Sequence, residues 1–108
     1  MGSQLGRPKY PRKDLNQSEI VEQLTALGFL CLDVSQLAPL GFDLLVCGNH
    51  RELHAPMWCA VEVKVDKSCT LTPTEEERQA DMQYLFGDDA PLIVAYEASD
   101  VLRWFGAI

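Results

Sequence analysis

Hydrophobic positions recur at two different periods along the chain, and the first period is helical. In the first third of the chain the apolar residues at helical spacing are Ile20, Val21, Leu24 and Leu27. Asn16 can cap this helix, because Glu19 stands three residues later, where a capping carboxylate belongs. Gly28 then ends it as a residue suited to a left-handed backbone. The pattern predicts one amphipathic helix before the first strand.

Three strand-like segments follow in close succession. They are "FLCLDV" (29–34), "FDLLVCG" (42–48) and "MWCAVEVKV" (57–65). The connectors between them are short and carry Pro39, Gly41 and a polar loop, which are features of turns. Because short connectors join antiparallel neighbours, we expect an antiparallel meander.

A second helix and a fourth strand complete the pattern. Thr72 is a plausible N-cap, Pro73 suits the first helical position, and Glu75 completes a capping box, so a helix is predicted to about Phe86. "LIVAYE" (92–97) predicts a strand, and "SDVLRWF" predicts a short closing helix capped by its Ser or Asp. The expected fold class is α/β (α+β), with the order α-β-β-β-α-β.

Charge is distributed unevenly over the 108 residues, whose net charge is −7. Residues 1–13 carry four basic groups and no acidic one, whereas the remaining residues carry five basic and 16 acidic groups. We therefore predict a basic, flexible N-terminal arm (1–13) and a single acidic domain (14–108). An acidic domain attracts polyanions poorly. A nucleic-acid role would need the arm's Arg7, Lys9, Arg12 and Lys13, bridging metal ions or a groove built from two subunits, and a solvated tail is the simpler interpretation of the arm.

Composition also indicates a compartment. No apolar run is long enough for a membrane span, and "MGSQLGRPKYPRKDLNQ" lacks the apolar stretch of a secretory signal. The four cysteines form no C-x-x-C pair, so reduced and mostly buried thiols are expected. These features predict a cytoplasmic protein with no membrane partner.

Two charged residues interrupt the third strand. Glu62 and Lys64 point to the same side of it, opposite Val61, Val63 and Val65. Asp43 likewise enters the apolar second strand, and a hairpin of the two strands would bring all three charges onto one patch. Two carboxylates suit Mg²⁺ or Mn²⁺, and such an ion with a lysine beside it suits phosphodiester hydrolysis.

These motifs, in their order, resemble the PD-(D/E)xK nuclease superfamily. A helix ending in Gly, then "GFD", "EVK" and "LTPTE" occupy the places of that superfamily's motifs over roughly residues 17–100. Within it, the similarity is to the VRR-NUC type, which is related to Holliday-junction resolvases. The resemblance implies a restriction-endonuclease-like core with a mixed central sheet flanked by helices. It also implies an Mg²⁺- or Mn²⁺-dependent endonuclease that acts as a homodimer on branched or otherwise structured DNA.

The resemblance also assigns roles to residues. Its implied metal ligands are Asp43, Glu62, the backbone carbonyl of Val63 and, from the first helix, Glu19. Lys64 would be the catalytic lysine, and Glu75 and Gln79 would support the site from the second helix.

Three departures from the family pattern bear on these roles. Phe42 replaces the usual Pro before the aspartate, and Glu75 stands where Gln is usual. The first-helix glutamate of resolvases falls about one turn earlier, at Gln17 here. Glu19 could therefore be only a helix cap, and Glu22 is a third candidate.

Three other interpretations stay open. Glu62 and Lys64 could be an exposed ion pair on one side of a strand. The fold could serve an inactive binding or assembly protein. Zinc could also be held around the hairpin loop by its preferred ligand types, namely Cys47, His50, His54 and Cys59.

Overall fold

A four-stranded mixed sheet forms the centre of the computed structural model, which describes residues 12–108 and the side chains from Leu15 onward. The elements are α1 (Arg12–Ala26), β1 (Leu30–Asp33), β2 (Leu44–His50), β3 (Ala55–Val63), α2 (Pro73–Phe86), β4 (Leu92–Ala95) and α3 (Ala98–Trp104). The strands lie in the order β1-β2-β3-β4; β1, β2 and β3 pair antiparallel, and β4 pairs parallel to β3. The predicted order of elements and the predicted meander are confirmed.

One face of the sheet packs against α1 and α3, and this interface is the hydrophobic core. Strand alternation sends Leu44, Val46, Cys59, Val61 and Val63 to this face, where all five are fully buried. They meet core residues from the helices and from β4, namely Ile20, Leu24, Ala95, Ala98, Val101 and Phe105.

The prediction that Asn16 caps the first helix is wrong. Helix α1 includes Arg12, so Asn16 lies inside it and donates its side-chain amide to neighbouring strands instead. Arg12 and Lys13 thus belong to α1 rather than to an arm ending at residue 13. The rest of the predicted arm, including Arg7 and Lys9, lies outside the described residues. Gly28 follows the helix with φ +94°, as expected of a C-terminal stop.

The opposite face of the sheet is only partly covered. There Leu30, Cys47 and Trp58 lie side by side across three strands, and Leu32 lies beside Leu45. Leu30, Leu32 and Trp58 are each 44–56% exposed. These five residues are called the open face below. It is apolar and carries no charge.

Helix α2 begins as predicted. The Thr72 hydroxyl accepts the Glu75 N–H, and the Glu75 carboxylate accepts the Thr72 N–H, which completes the capping box. The prediction that a Ser or Asp caps the closing helix is wrong, because Glu97 is the N-cap of α3. Asp100 lies inside the helix and accepts the N–H groups of Tyr96 and Glu97. Within residues 12–108, no helix combines the length and hydrophobicity needed to cross a membrane.

Candidate functional site

Three carboxylates line one cleft of about 270 Å³. Asp43 contributes from the residue before β2, Glu62 from β3, and Glu75 from the first turn of α2. The other wall is the segment between β1 and β2, represented by Ser35, Ala38 and Gly41. Asp43 and Glu62 are 7% and 2% exposed, which is far below the usual exposure of acidic residues. Burial of a carboxylate is costly unless hydrogen-bond partners, an opposite charge or an ion compensate it, so the partners of these two side chains matter.

Asp43 is fixed to the strand that carries Glu62. Its backbone N–H donates to the Val61 carbonyl at 2.9 Å, and its Oδ2 accepts the Val63 N–H at 2.8 Å. These two partners flank Glu62 along β3. The predicted convergence of Asp43 with Glu62 therefore occurs, and Val63 is held by the aspartate through its backbone.

Lys64 lies between two carboxylates. Its Nζ is 2.8 Å from Glu75 Oε1 and 3.3 Å from Glu62 Oε2, and its side chain is 10% exposed. Glu62 and Lys64 are thus not the exposed strand pair considered above, because both are buried beneath α2. A charge-assisted bond in such a setting is shorter and stronger than a bond between exposed groups.

The pKa values of this group follow from those contacts. Burial tends to lower the pKa of Lys64, but the hydrogen bond that its ammonium donates to Glu75 and the charges of Glu62 and Glu75 outweigh this effect, so the pKa is raised. Burial tends to raise the pKa of Glu75, yet its hydrogen bonds with Lys64 and the Thr72 N–H leave that pKa lowered. Both shifts favour an ammonium facing a carboxylate at neutral pH.

Asn16 holds the backbone behind this group. Its side-chain amide donates to the carbonyls of Lys64 and Tyr96, each at 3.0 Å. These two residues follow the parallel neighbours β3 and β4, so a single side chain joins α1 to the ends of both strands. The signal for this role in the sequence is weak, because Asn at a helix start is also a common cap.

The first-helix glutamates are not brought to the cleft. Glu19 and Glu22 are exposed, and Glu19 lies on the opposite side of α1 from the buried Gln17, Ile20 and Leu24. Gln17 turns inward instead, and its amide donates to Asp33 Oδ2 at 3.1 Å. The prediction that Glu19 joins Asp43 and Glu62 therefore lacks geometric support, and the capping role suggested for it is wrong because α1 starts earlier.

Gln79 also lies elsewhere. It lines a separate cavity between α2 and β4, together with Met82 and Leu92, rather than the cleft that Glu75 lines. Helical spacing places Gln79 one turn after Glu75, and this turn carries it along the axis away from Lys64. Among the predicted supporting residues, only Glu75 contacts the catalytic candidates.

The geometry is unfavourable to the zinc alternative. Cys59 is fully buried in the core, whereas Cys47 pairs with Trp58 on the opposite face of the sheet. His50 packs against the Trp104 ring, and its Nδ1 accepts the N–H groups of Glu52 and Leu53. The four residues therefore do not converge.

The donor set of the cleft suits a hard divalent cation. Carboxylate oxygens are the ligands that Mg²⁺ and Mn²⁺ prefer, and one or two of them suffice when water completes the coordination. The hydrogen bond from Val63 orients Asp43, as expected of a ligand held by its surroundings. Among the described residues, no three His, Cys, Asp or Glu side chains already form a metal-binding group. Asp43 and Glu62 are the residues of the cleft that could hold such an ion together with water.

Comparisons with protein-family models, with curated proteins and with solved structures each found no match for this chain.

Proposed function

We propose that this chain is an Mg²⁺- or Mn²⁺-dependent endonuclease that hydrolyses phosphodiester bonds in branched or otherwise structured DNA. The observation that carries the proposal is that Asp43 and Glu62 line one cleft, that Lys64 forms an ion pair with Glu62, and that Asp43 is bonded to Val63, the residue between those two. The sheet order and the strand directions, with α1 and α2 on opposite faces, are compatible with the restriction-endonuclease-like core that the motifs imply.

Each residue would have a distinct task. A divalent cation on Asp43 and Glu62 would supply Lewis-acid activation of water and charge neutralisation at the phosphate. The raised pKa of Lys64 favours an ammonium, so this group would orient the attacking water and stabilise developing negative charge rather than accept a proton. The Val63 carbonyl, adjacent to both ligands, would complete the set.

DNA binding would come partly from outside the cleft. The acidic domain repels phosphates, so contacts from Arg7, Lys9, Arg12 and Lys13 would have to offset this repulsion. The open face offers a neutral surface on which a second, equally acidic copy could dock without bringing like charges together. A homodimer would supply the two sites that cutting both strands of a junction requires.

One observation favours an alternative, a nuclease-like fold that binds or assembles without cutting. Glu75 stands where the related enzymes have Gln, and its carboxylate holds the Lys64 ammonium at 2.8 Å. A lysine occupied by a carboxylate is less available to water or phosphate, so this pairing is what an inactive member would show.

Cleavage assays decide between the two. The wild type, Lys64→Ala and Asp43→Asn are incubated with four-way junction, nicked and linear DNA in Mg²⁺ or Mn²⁺, and Lys67→Ala serves as an exposed lysine control. If the chain is the proposed endonuclease, the wild type and Lys67→Ala cleave DNA at similar rates. The cleavage rate of Lys64→Ala and of Asp43→Asn is then lower by at least about 100-fold. A wild type that cuts none of these substrates and shows no Mn²⁺ binding by calorimetry contradicts the proposal.

A further inference from the structure

Arg78 ties the two walls of the cleft together. From α2, its Nε donates to the Leu40 carbonyl at 2.7 Å and its Nη2 to the Pro39 carbonyl at 3.1 Å. Both carbonyls belong to the short 3₁₀ turn Ala38–Leu40, which lies in the wall opposite Glu75. A guanidinium presents such donors in a rigid planar fork, so the contact fixes orientation as well as distance.

The same turn approaches α2 at Gly41. A Cβ added to this residue would lie 2.8 Å from the Cβ of Arg78 and 3.1 Å from the Thr74 carbonyl. Gly41 also has φ +80°, a conformation that side chains rarely adopt. Only glycine therefore permits the close contact between this segment and the first turns of α2.

These contacts lie between the residues that carry the proposed chemistry. Asp43 follows Gly41 by two residues, and Glu75, which holds Lys64, precedes Arg78 by one helical turn. Asp43 itself is held to β3 by its bonds to Val61 and Val63, so the Gly41–Arg78 contact acts on the other partner, helix α2. How α2 docks on the turn sets where Glu75, and with it the Lys64 ammonium, lies in the cleft.

We propose that Arg78 is a positioning residue, which together with Gly41 sets the width of the cleft and the placement of Glu75, and through it of Lys64, for metal-dependent cleavage. The inference rests on the proposed function, because it concerns the same site. It adds a residue from outside the ligand set whose loss changes geometry without removing a ligand.

The test compares Arg78→Ala and Arg78→Lys with the wild type in kcat, KM and Mn²⁺ affinity at equal folded fraction. Arg78→Ala should lower kcat about 10-fold to 100-fold and weaken Mn²⁺ binding, because misplacement by about 1 Å has effects of this size. A lysine can donate to one of the two carbonyls but cannot contact both as the guanidinium does. The kcat and Mn²⁺ affinity of Arg78→Lys should therefore lie between those of the wild type and Arg78→Ala. A fall in Mn²⁺ affinity at equal folded fraction distinguishes a changed cleft from simple loss of stability.

Three control variants sharpen the test. Asp81→Asn removes only the exposed Arg78–Asp81 pair, and Arg103→Ala removes a similar exposed pair on α3, so both should behave as wild type. Gly41→Ala should lower kcat and Mn²⁺ affinity as Arg78→Ala does. Gly28 also has a positive φ, +94°, but no atom lies near its added Cβ, so Gly28→Ala should leave both quantities unchanged. If folded Arg78→Ala has the kcat and the Mn²⁺ affinity of the wild type, the inference about Arg78 is overturned while the proposed function stands. A wild type that neither cuts DNA nor binds Mn²⁺ overturns the proposed function and this inference with it.

Discussion

The ammonium of Lys64 lies 2.8 Å from the carboxylate of Glu75, and that same carboxylate oxygen accepts the N–H of Thr72. One side chain therefore begins a helix and holds the candidate catalytic lysine. The negative charge of Glu75 is one of the causes that raise the pKa of Lys64, so this pair controls how readily the lysine loses its proton.

Glu75→Gln should lower the pKa of Lys64 toward its ordinary value. The amide can still accept hydrogen bonds from Lys64 and Thr72, but it removes a charge that favours the ammonium. An NMR titration of the lysine ε-methylene signal measures the change, and Glu76→Gln, in the same turn but exposed, is the control. An unchanged pKa in Glu75→Gln would assign the whole shift to Glu62.

Cys59 should make the protein less stable at alkaline pH. Burial raises the pKa of its thiol from 9.0 to about 12, so the unfolded chain loses this proton at lower pH than the folded chain. The free energy of unfolding from this group is therefore constant below about pH 9 and falls between pH 9 and 12. Denaturant titrations at several pH values measure the free energy of unfolding of the wild type and of Cys59→Ala. If that free energy falls equally with pH in both proteins, the prediction is contradicted.

The same burial should protect Cys59 from thiol reagents. At pH 8 the exposed Cys69 should react first with a disulfide reagent, and Cys59 only as fast as the protein unfolds. Mass spectrometry of the labelled peptides identifies each site, with Cys69→Ser confirming the assignment of the fast phase. Equal labelling rates for both thiols would be inconsistent with the packing described above.

Asn16→Ala should destabilise the protein by about 1–3 kcal/mol, because the carbonyls of Lys64 and Tyr96 lose a partly buried donor. The neighbouring exposed Ser18 provides the control in Ser18→Ala. Urea unfolding followed by circular dichroism measures both variants. If Asn16→Ala and Ser18→Ala are equally stable, the hydrogen bonds from Asn16 to the strand ends contribute nothing to the free energy of unfolding.

The open face should govern self-association if the chain forms the proposed homodimer. Light scattering should give twice the chain mass of 12.1 kDa for the wild type and a single chain for Leu32→Glu with Trp58→Glu, since charges there would meet across the interface. Tyr84→Glu, which alters an 89% exposed aromatic on α2, should leave the dimer intact. A monomeric wild type at about 100 µM, well above the dissociation constants of specific dimers, would argue against this interface.

Local signals and strand pairing were sufficient to predict the order of elements and the convergence of Asp43 with Glu62. Glycine at position 28 and the capping box at Thr72 act within a few residues, so both were correctly predicted. Asp43, Glu62 and Lys64 were recognisable because a charge inside an apolar strand requires a partner, and hairpin pairing leaves few places for one.

Residues that act across long sequence separations were not predictable. Asn16 and Glu19 matched a capping pattern, but helical residues precede Asn16 and its partners are 48 and 80 residues away. Arg78 likewise finds its carbonyl partners 38 and 39 residues earlier in a turn whose position depends on the folded sheet. The sequence around Asn16 and around Arg78 carries no information about partners so far away along the chain. Tertiary packing therefore determines the role of both residues.

The Asn16 bridge also affects when the site can form during synthesis. The amide that donates to the Lys64 carbonyl also donates to the Tyr96 carbonyl, and Tyr96 is synthesised 80 residues after Asn16. A nascent chain that has released Asp43, Glu62 and Lys64 therefore still lacks the strand that completes their support. The site should become organised only after β4 and Tyr96 have been synthesised, so a ribosome-bound fragment ending before β4 would present the carboxylates without this support.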